Sequence, residues 1–300
     1  MRTDHFYPSK GVGMIHYCRW MPEERPKAVV QIVHGIAEFA ERYDEFARYL
    51  NSLGYLVVAE DHMGHGQSIG KDGVRGYFHG GWFAAVEDTL QLMKDTMAEF
   101  SGVPYILFGH SMGSFMARTI LAKYPDCGIS AAVICGTGWQ PGMVLKMGKL
   151  MSRGEEERPN ERLQGLVFGG YNKRVEHPRT SFDWLSRDGK IVDAYIDHPL
   201  CGFTASTGLL RDMLSGMEYI QDKHNLDRMK KDLPVLFIAG GDDPVGNYGK
   251  GVERTAKAFR KAGMEQVDVK IYPLGRHEIL NEINREEVYR DVARWMETAM

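Results

Sequence analysis

The chain has 300 residues, 43% of them hydrophobic and 26% charged, an ordinary globular composition long enough to bury a core without disulfides or metals. Lys and Arg number 37 against 40 Asp and Glu, and a net charge of −3 leaves no basic excess for a polyanion, so nucleic acid is not an expected partner. No stretch reaches the roughly 18 apolar residues of a membrane span, and four scattered cysteines (Cys18, Cys127, Cys135, Cys201) behind an N-terminus without signal-peptide character are expected to be free thiols in the cytoplasm.

Taken in chain order, Asp4–Met21 with its Gly11-Val-Gly13 turn reads as an antiparallel hairpin on a sheet edge. Short apolar, β-branched runs then recur at Ala28–His34, Tyr55–Ala59, Tyr105–Phe108, Ala131–Cys135, Val235–Ala239 and Val267–Tyr272. Such near-continuous runs suit parallel strands covered on both faces. Helical spacing separates them over Phe39–Leu53, Trp82–Phe100, Met112–Tyr124 and Val252–Ala262, and Glu286–Met300 closes the chain. Strand–helix alternation predicts an α/β fold with a mostly parallel, doubly wound sheet. The rhythm breaks between residues 137 and 217, where Met, Phe, Trp and Leu lie among Gly, Pro and charges. This stretch is too long for one structureless loop and reads as an inserted, largely helical cap on a core formed by 1–136 and 218–300.

Gly109-His-Ser-Met-Gly113 is a G-x-S-x-G motif between an expected strand and an expected helix. A tight turn there lifts Ser111 above the sheet edge, beside the partial positive charge of a helix N-terminus. A serine nucleophile needs a base, and the base needs an orienting acid. The loop after Val235–Ala239 offers Asp242 and Asp243, and the loop after Val267–Tyr272 offers His277, in the chain order such a fold requires. Asp243, just before proline, is the preferred acid, with Asp242 the alternative. The His34-Gly-Ile-Ala-Glu38 turn after the first parallel strand can give a second oxyanion donor, so the backbone N–H groups of Ile36 and Met112 form the expected pair.

Together HGIAE, Asp61-His-Met-Gly-His-Gly-Gln-Ser68, GHSMG, Gly241-Asp-Asp-Pro-Val245 and Gly275-Arg-His277 resemble the α/β-hydrolase superfamily. More narrowly they resemble its serine aminopeptidase S33, or hydrolase 4, group, which includes monoacylglycerol lipases and lysophospholipases. The resemblance spans about residues 28–135 and 232–300, and the cap matches only in placement. It implies Ser111 as nucleophile, Asp243 as acid, His277 as base, and Ile36 and Met112 as oxyanion donors. One departure is Ser114, where the group often carries a second glycine.

The expected activity is therefore hydrolysis of a small-molecule carboxylic ester carrying an acyl chain, with no cofactor and no metal. Asp61, His62 and His65 have tempting ligand spacing, but a glycine-rich loop needs only hydrogen bonds to fix such a turn. Other readings of the same residues are a non-catalytic binding member of the fold, or a small-ester, peptide or C–C bond hydrolase. Met143, Met147 and Met151 recur every four residues, either as core packing or as an adaptable apolar wall for an acyl chain. His198 is placed where it can face the cleft, and Cys201 is expected to be a buried thiol.

Overall fold

The computed structural model describes residues 1–70 and 73–300. Strands β1 (Arg2–Pro8) and β2 (Met14–Trp20) form the edge hairpin. The remaining strands are β3 (Ala28–Val33), β4 (Tyr55–Glu60), β5 (Tyr105–His110), β6 (Ala131–Cys135), β7 (Val235–Gly240) and β8 (Val267–Tyr272). They join one eight-stranded sheet in the order β1-β2-β4-β3-β5-β6-β7-β8. Only the β1–β2 and β2–β4 pairings are antiparallel.

The helices are α1 (Asp44–Ser52), α2 (Gly81–Glu99), α3 (Met112–Lys123), α4 (Gly142–Met151), α5 (Glu161–Phe168), α6 (Gly189–Asp197), α7 (Thr207–Gln221), α8 (Lys223–Asp227), α9 (Lys250–Lys261) and α10 (Arg285–Ala299). The helix expected from Phe39 is split: a single 3-10 turn covers Ala40–Tyr43 and α1 begins at Asp44. The Ala40 N–H is held by Asp61 Oδ1 at 2.8 Å, which fixes that first turn from outside the helix.

The continuous apolar runs follow from two covered faces. Val29 and Val33 of β3, Leu56 and Val58 of β4, and Leu107 of β5 pack with α2, α3, α7 and α9 on one side. Their neighbours Val30, Ile32, Val57, Ala59, Ile106 and Phe108 pack with α1 and α10 on the other. Side chains alternate across a strand, so every position in β3, β4 and β5 is buried.

The short helix α8 lies just before β7, and the rest of the chain between β6 and β7 holds helices α4, α5, α6 and α7. The last of them runs past residue 217 to Gln221 and packs on α2 and α3 as well as on α4. Among the described residues, no helix is long and apolar enough to cross a membrane.

Candidate active site

The central strand β5 runs directly into Ser111, which precedes α3 with φ 54° and ψ −121°, a region costly for a residue with a side chain. The turn is so tight that a Cβ on Gly113 would stand 2.0 Å from the Val33 carbonyl oxygen. Ser111 donates its N–H to Cys135 O at 3.0 Å, which ties the turn to the next strand. Ser114 Oγ donates back to Ser111 O at 2.6 Å, so the departing serine closes the turn.

On the loops after β7 and β8, His277 Nδ1 lies 3.0 Å from Asp243 Oδ1. Of the two acids expected from sequence, Asp243 is the one that reaches the imidazole. The same oxygen accepts the Val245 N–H at 2.9 Å, and both Asp243 and His277 are buried. A carboxylate on Nδ1 holds the proton there and leaves Nε2 as the free base position. Met112 opens α3, so its N–H has no helical partner. Neither it nor the Ile36 N–H has another backbone acceptor among the described residues.

A cavity of about 620 Å³ meets Ser111, His277, Ile36 and Met112. Most of its wall is apolar, with Phe115 from α3, Met147 and Met151 from α4, Leu166 from α5 and Met213 and Leu214 from α7. Its volume lies within the usual range for ligand pockets. All three methionines of the series are exposed, and Met147 and Met151, but not Met143, also line the open cavity.

Behind the imidazole lies a buried ionic cluster that sequence reasoning missed. Arg42 meets both oxygens of Glu278 at 2.7 Å and Glu38 Oε2 at 2.7 Å. Glu38 Oε1 accepts from Gly35 N–H at 2.6 Å and Tyr43 OH at 2.9 Å, and His110 Nδ1 lies 3.2 Å from it. Burial by itself would raise the Glu38 carboxyl, yet His110 and Arg42 hold it well below the usual range. Burial opposes the charge on Glu278 too, and Arg42 pulls it down. The cluster therefore joins the Gly35–Ile36 turn to the residue after His277. Its local signals are the i,i+4 spacing of Glu38 and Arg42 and the acid next to His277; the pairing of Arg42 with Glu278 is not local.

Trp184 caps the other side. Its ring centroid is 5.1 Å from that of His277, and its carbonyl accepts the His277 N–H at 3.3 Å. His198 is not on the cavity wall; it stacks on Phe39 with centroids 4.5 Å apart, because Nδ1 turns back to the Leu200 N–H at 3.2 Å. Cys201 is buried, and burial pushes its thiol up to about 12, away from nucleophilic thiolate. Asp61 spends its oxygens on His16, Ala40 and Gln67, and His62 Nε2 lies 3.0 Å from the His34 carbonyl.

A strained serine ending a central parallel strand, on a sheet of this order, marks the α/β-hydrolase class. Residues 24–284 match the hydrolase 4 family, described as serine aminopeptidase S33, and the chain belongs to it. It is 30% identical to a monoacylglycerol lipase of Mycolicibacterium smegmatis over 98% of this chain and 97% of that one. It is also 30% identical to human monoglyceride lipase, over 91% of this chain and 86% of the other. A solved structure of a thermostable carboxyl esterase from Bacillus coagulans in complex with glycerol superposes with a TM-score of 0.92 at 30% identity, covering 99% of this chain and 98% of that one. The protein is a serine hydrolase of carboxylic esters.

Proposed function

We propose that the protein hydrolyses lipophilic monoacyl esters of the monoacylglycerol type, with the acyl chain in the apolar cavity and Ser111 as nucleophile. The observation that carries this reading is the cavity itself, about 620 Å³ of mostly apolar wall that reaches Ser111 and His277 together. The monoacylglycerol lipases among its relatives, and glycerol in the related esterase structure, support the choice of alcohol.

His277 Nε2 takes the Ser111 proton as the hydroxyl oxygen attacks the ester carbonyl. Asp243 fixes the imidazole and stabilises its cation. The Ile36 and Met112 N–H groups receive the tetrahedral oxyanion. The alkoxide leaves with the proton from Nε2, and water repeats the steps in reverse to free the acid. Among the described residues no hydrogen bond joins Ser111 Oγ to His277; catalytic contacts of this kind tighten when substrate arrives.

Residues 137–217 act as a cap over a core of 1–136 and 218–300, and four free thiols, three of them buried, suit a cytoplasmic setting.

The test is kcat/KM along p-nitrophenyl esters from acetate to octanoate, below the micelle threshold. Each buried methylene adds about 0.8 kcal/mol, so four more carbons raise kcat/KM by about a hundredfold until the cavity fills. A flat or falling series rejects the lipophilic substrate and leaves a small-ester hydrolase.

A further inference from the structure

A second cluster of donor atoms lies on the edge hairpin. Asp4 on β1 pairs directly with Cys18 on β2, and His16 is two residues before Cys18, so all three share one face of the ladder. His16 and Cys18 are fully buried, and Asp4 is exposed. His16 Nε2, Cys18 Sγ and a carboxylate oxygen of Asp4 all lie within 4.8 Å of one another. Two of the separations are 3.1 Å for His16 Nε2 to Asp4 Oδ1 and 3.5 Å for Cys18 Sγ to the same oxygen.

The far side of the imidazole fixes what this cluster can be. His16 Nδ1 sits 2.8 Å from Asp61 Oδ2, whose carboxylate also accepts the N–H groups of Gln67 and Ala40, at 2.8 Å each. Asp61 is therefore an acceptor, and the proton on that side belongs to Nδ1. A neutral imidazole then points its Nε2 lone pair at the Asp4 carboxylate, two electron pairs at hydrogen-bond distance. The Gln67 amide nitrogen, 3.3 Å from that nitrogen, and the Cys18 thiol, 3.5 Å from that oxygen, are the donors at hand, and a second proton or a metal cation between the two atoms would relieve the contact fully. Arg2 and Glu41, 2.8 Å apart, are the neighbouring charges, with Arg2 3.7 Å from Asp4 Oδ2.

We propose that Asp4, His16 and Cys18 bind one divalent zinc-type cation. Nitrogen, sulfur and oxygen donors at this spacing can each reach an ion at about 2.0–2.3 Å, the ordinary lengths for zinc. The carboxylate behind the imidazole is the outer partner that metal-binding histidines regularly have. Charge balances, because the thiolate and the Asp4 carboxylate offset two positive charges beside a neutral imidazole. Water from the exposed Asp4 side completes a tetrahedron; the Gln67 amide nitrogen, 3.3 Å from His16 Nε2, is a donor and does not ligate a cation. The thiolate, not the thiol, is the metal ligand, so the ion must displace the Cys18 proton, and binding weakens as pH falls. The ion would staple the edge hairpin to Asp61 and so to the turn at Ala40. This departs from the sequence expectation of no metal.

The full-length protein, stripped with chelator and kept reduced, is titrated with Co²⁺ and then Zn²⁺. One Co²⁺ per chain with a thiolate-to-cobalt charge-transfer band, displaced by Zn²⁺, is the expected result. Cys18→Ser should abolish the band, Asp4→Asn should weaken binding at least tenfold, and Cys127→Ser should change neither. Asp4 is exposed, so its variant keeps the fold, and Zn²⁺ should raise the melting temperature of the parent protein but not of Asp4→Asn. No charge-transfer band, or one that survives Cys18→Ser or disappears with Cys127→Ser, overturns the site and leaves a His16 imidazolium between two carboxylates.

Discussion

Gly35 sits where the turn carrying the proposed oxyanion donor Ile36, the ionic cluster and Ser111, the proposed nucleophile, meet. In Gly35→Ala the added methyl would stand 2.7 Å from Glu38 Oε1 and 3.0 Å from Ser111 Cβ. Neither neighbour is free to withdraw. Glu38 is held by the Gly35 N–H at 2.6 Å, by Tyr43 OH at 2.9 Å and by Arg42 at 2.7 Å. Ser111 is fixed by its strained turn and its bond to Cys135. Relief must come from the 35–37 backbone, which carries the Ile36 N–H away from the nucleophile. Losing one oxyanion donor costs about 10²–10³ in kcat. The overpacking costs about 1–3 kcal/mol of stability, a drop of several degrees in Tm. Substrate binding in the apolar cavity is untouched, so KM should change little. The assay is p-nitrophenyl butyrate hydrolysis with thermal unfolding of the same preparation. A folded Gly35→Ala protein with kcat within about threefold of the parent would refute the reasoning, because a single missing donor is worth at least a hundredfold.

Asp243→Asn should lower kcat by about 10⁴ by leaving His277 in the wrong tautomer, and Asp242→Asn should cost far less; the reverse ranking in ester hydrolysis would move the acid by one residue. Arg42→Met leaves Glu38 and Glu278 as buried like charges and should cost about 3–5 kcal/mol in urea unfolding at neutral pH; a loss below about 1 kcal/mol would show that the cluster does not bind its two loops together. Asp88 on α2 is raised to about 6 by burial, despite accepting from Lys10 N–H and Ser9 Oγ. A carboxyl raised on folding binds its proton more tightly in the folded state, so its contribution is present below about pH 4 and lost as pH rises through about 6. Asp88→Asn should therefore flatten the stability profile between pH 4 and 6, by about 1–3 kcal/mol, and an unchanged slope would contradict the buried-charge account.

Where the strands lie was legible because β3, β4 and β5 are buried on both faces, which demands unbroken apolar runs. The turn at Ser111 was legible because its geometry needs glycines at fixed offsets within five residues. The proline after Asp243 favoured it as the acid, but Asp242 on the same loop stayed open, because only the reach to His277 separates the two. Helix α4 was also unclear. Leu145 is its one buried residue, and Val144, Met147 and Met151 line the cavity, so no single apolar face marks what it packs against. Arg42 and Glu278 pair across 236 residues, and the Asp4–Cys18 pairing depends on strand register. Neither relation has a local trace.

The most direct test of the central claim is the mass of the intact protein after reaction with a fluorophosphonate, followed by mapping of the modified peptide. A serine hydrolase working as described takes up one phosphonyl group, on Ser111, in step with the loss of ester hydrolysis, and Ser111→Ala takes up none. Complete loss of activity with the label on another residue, or a folded Ser111→Ala protein that still turns over ester, would contradict it.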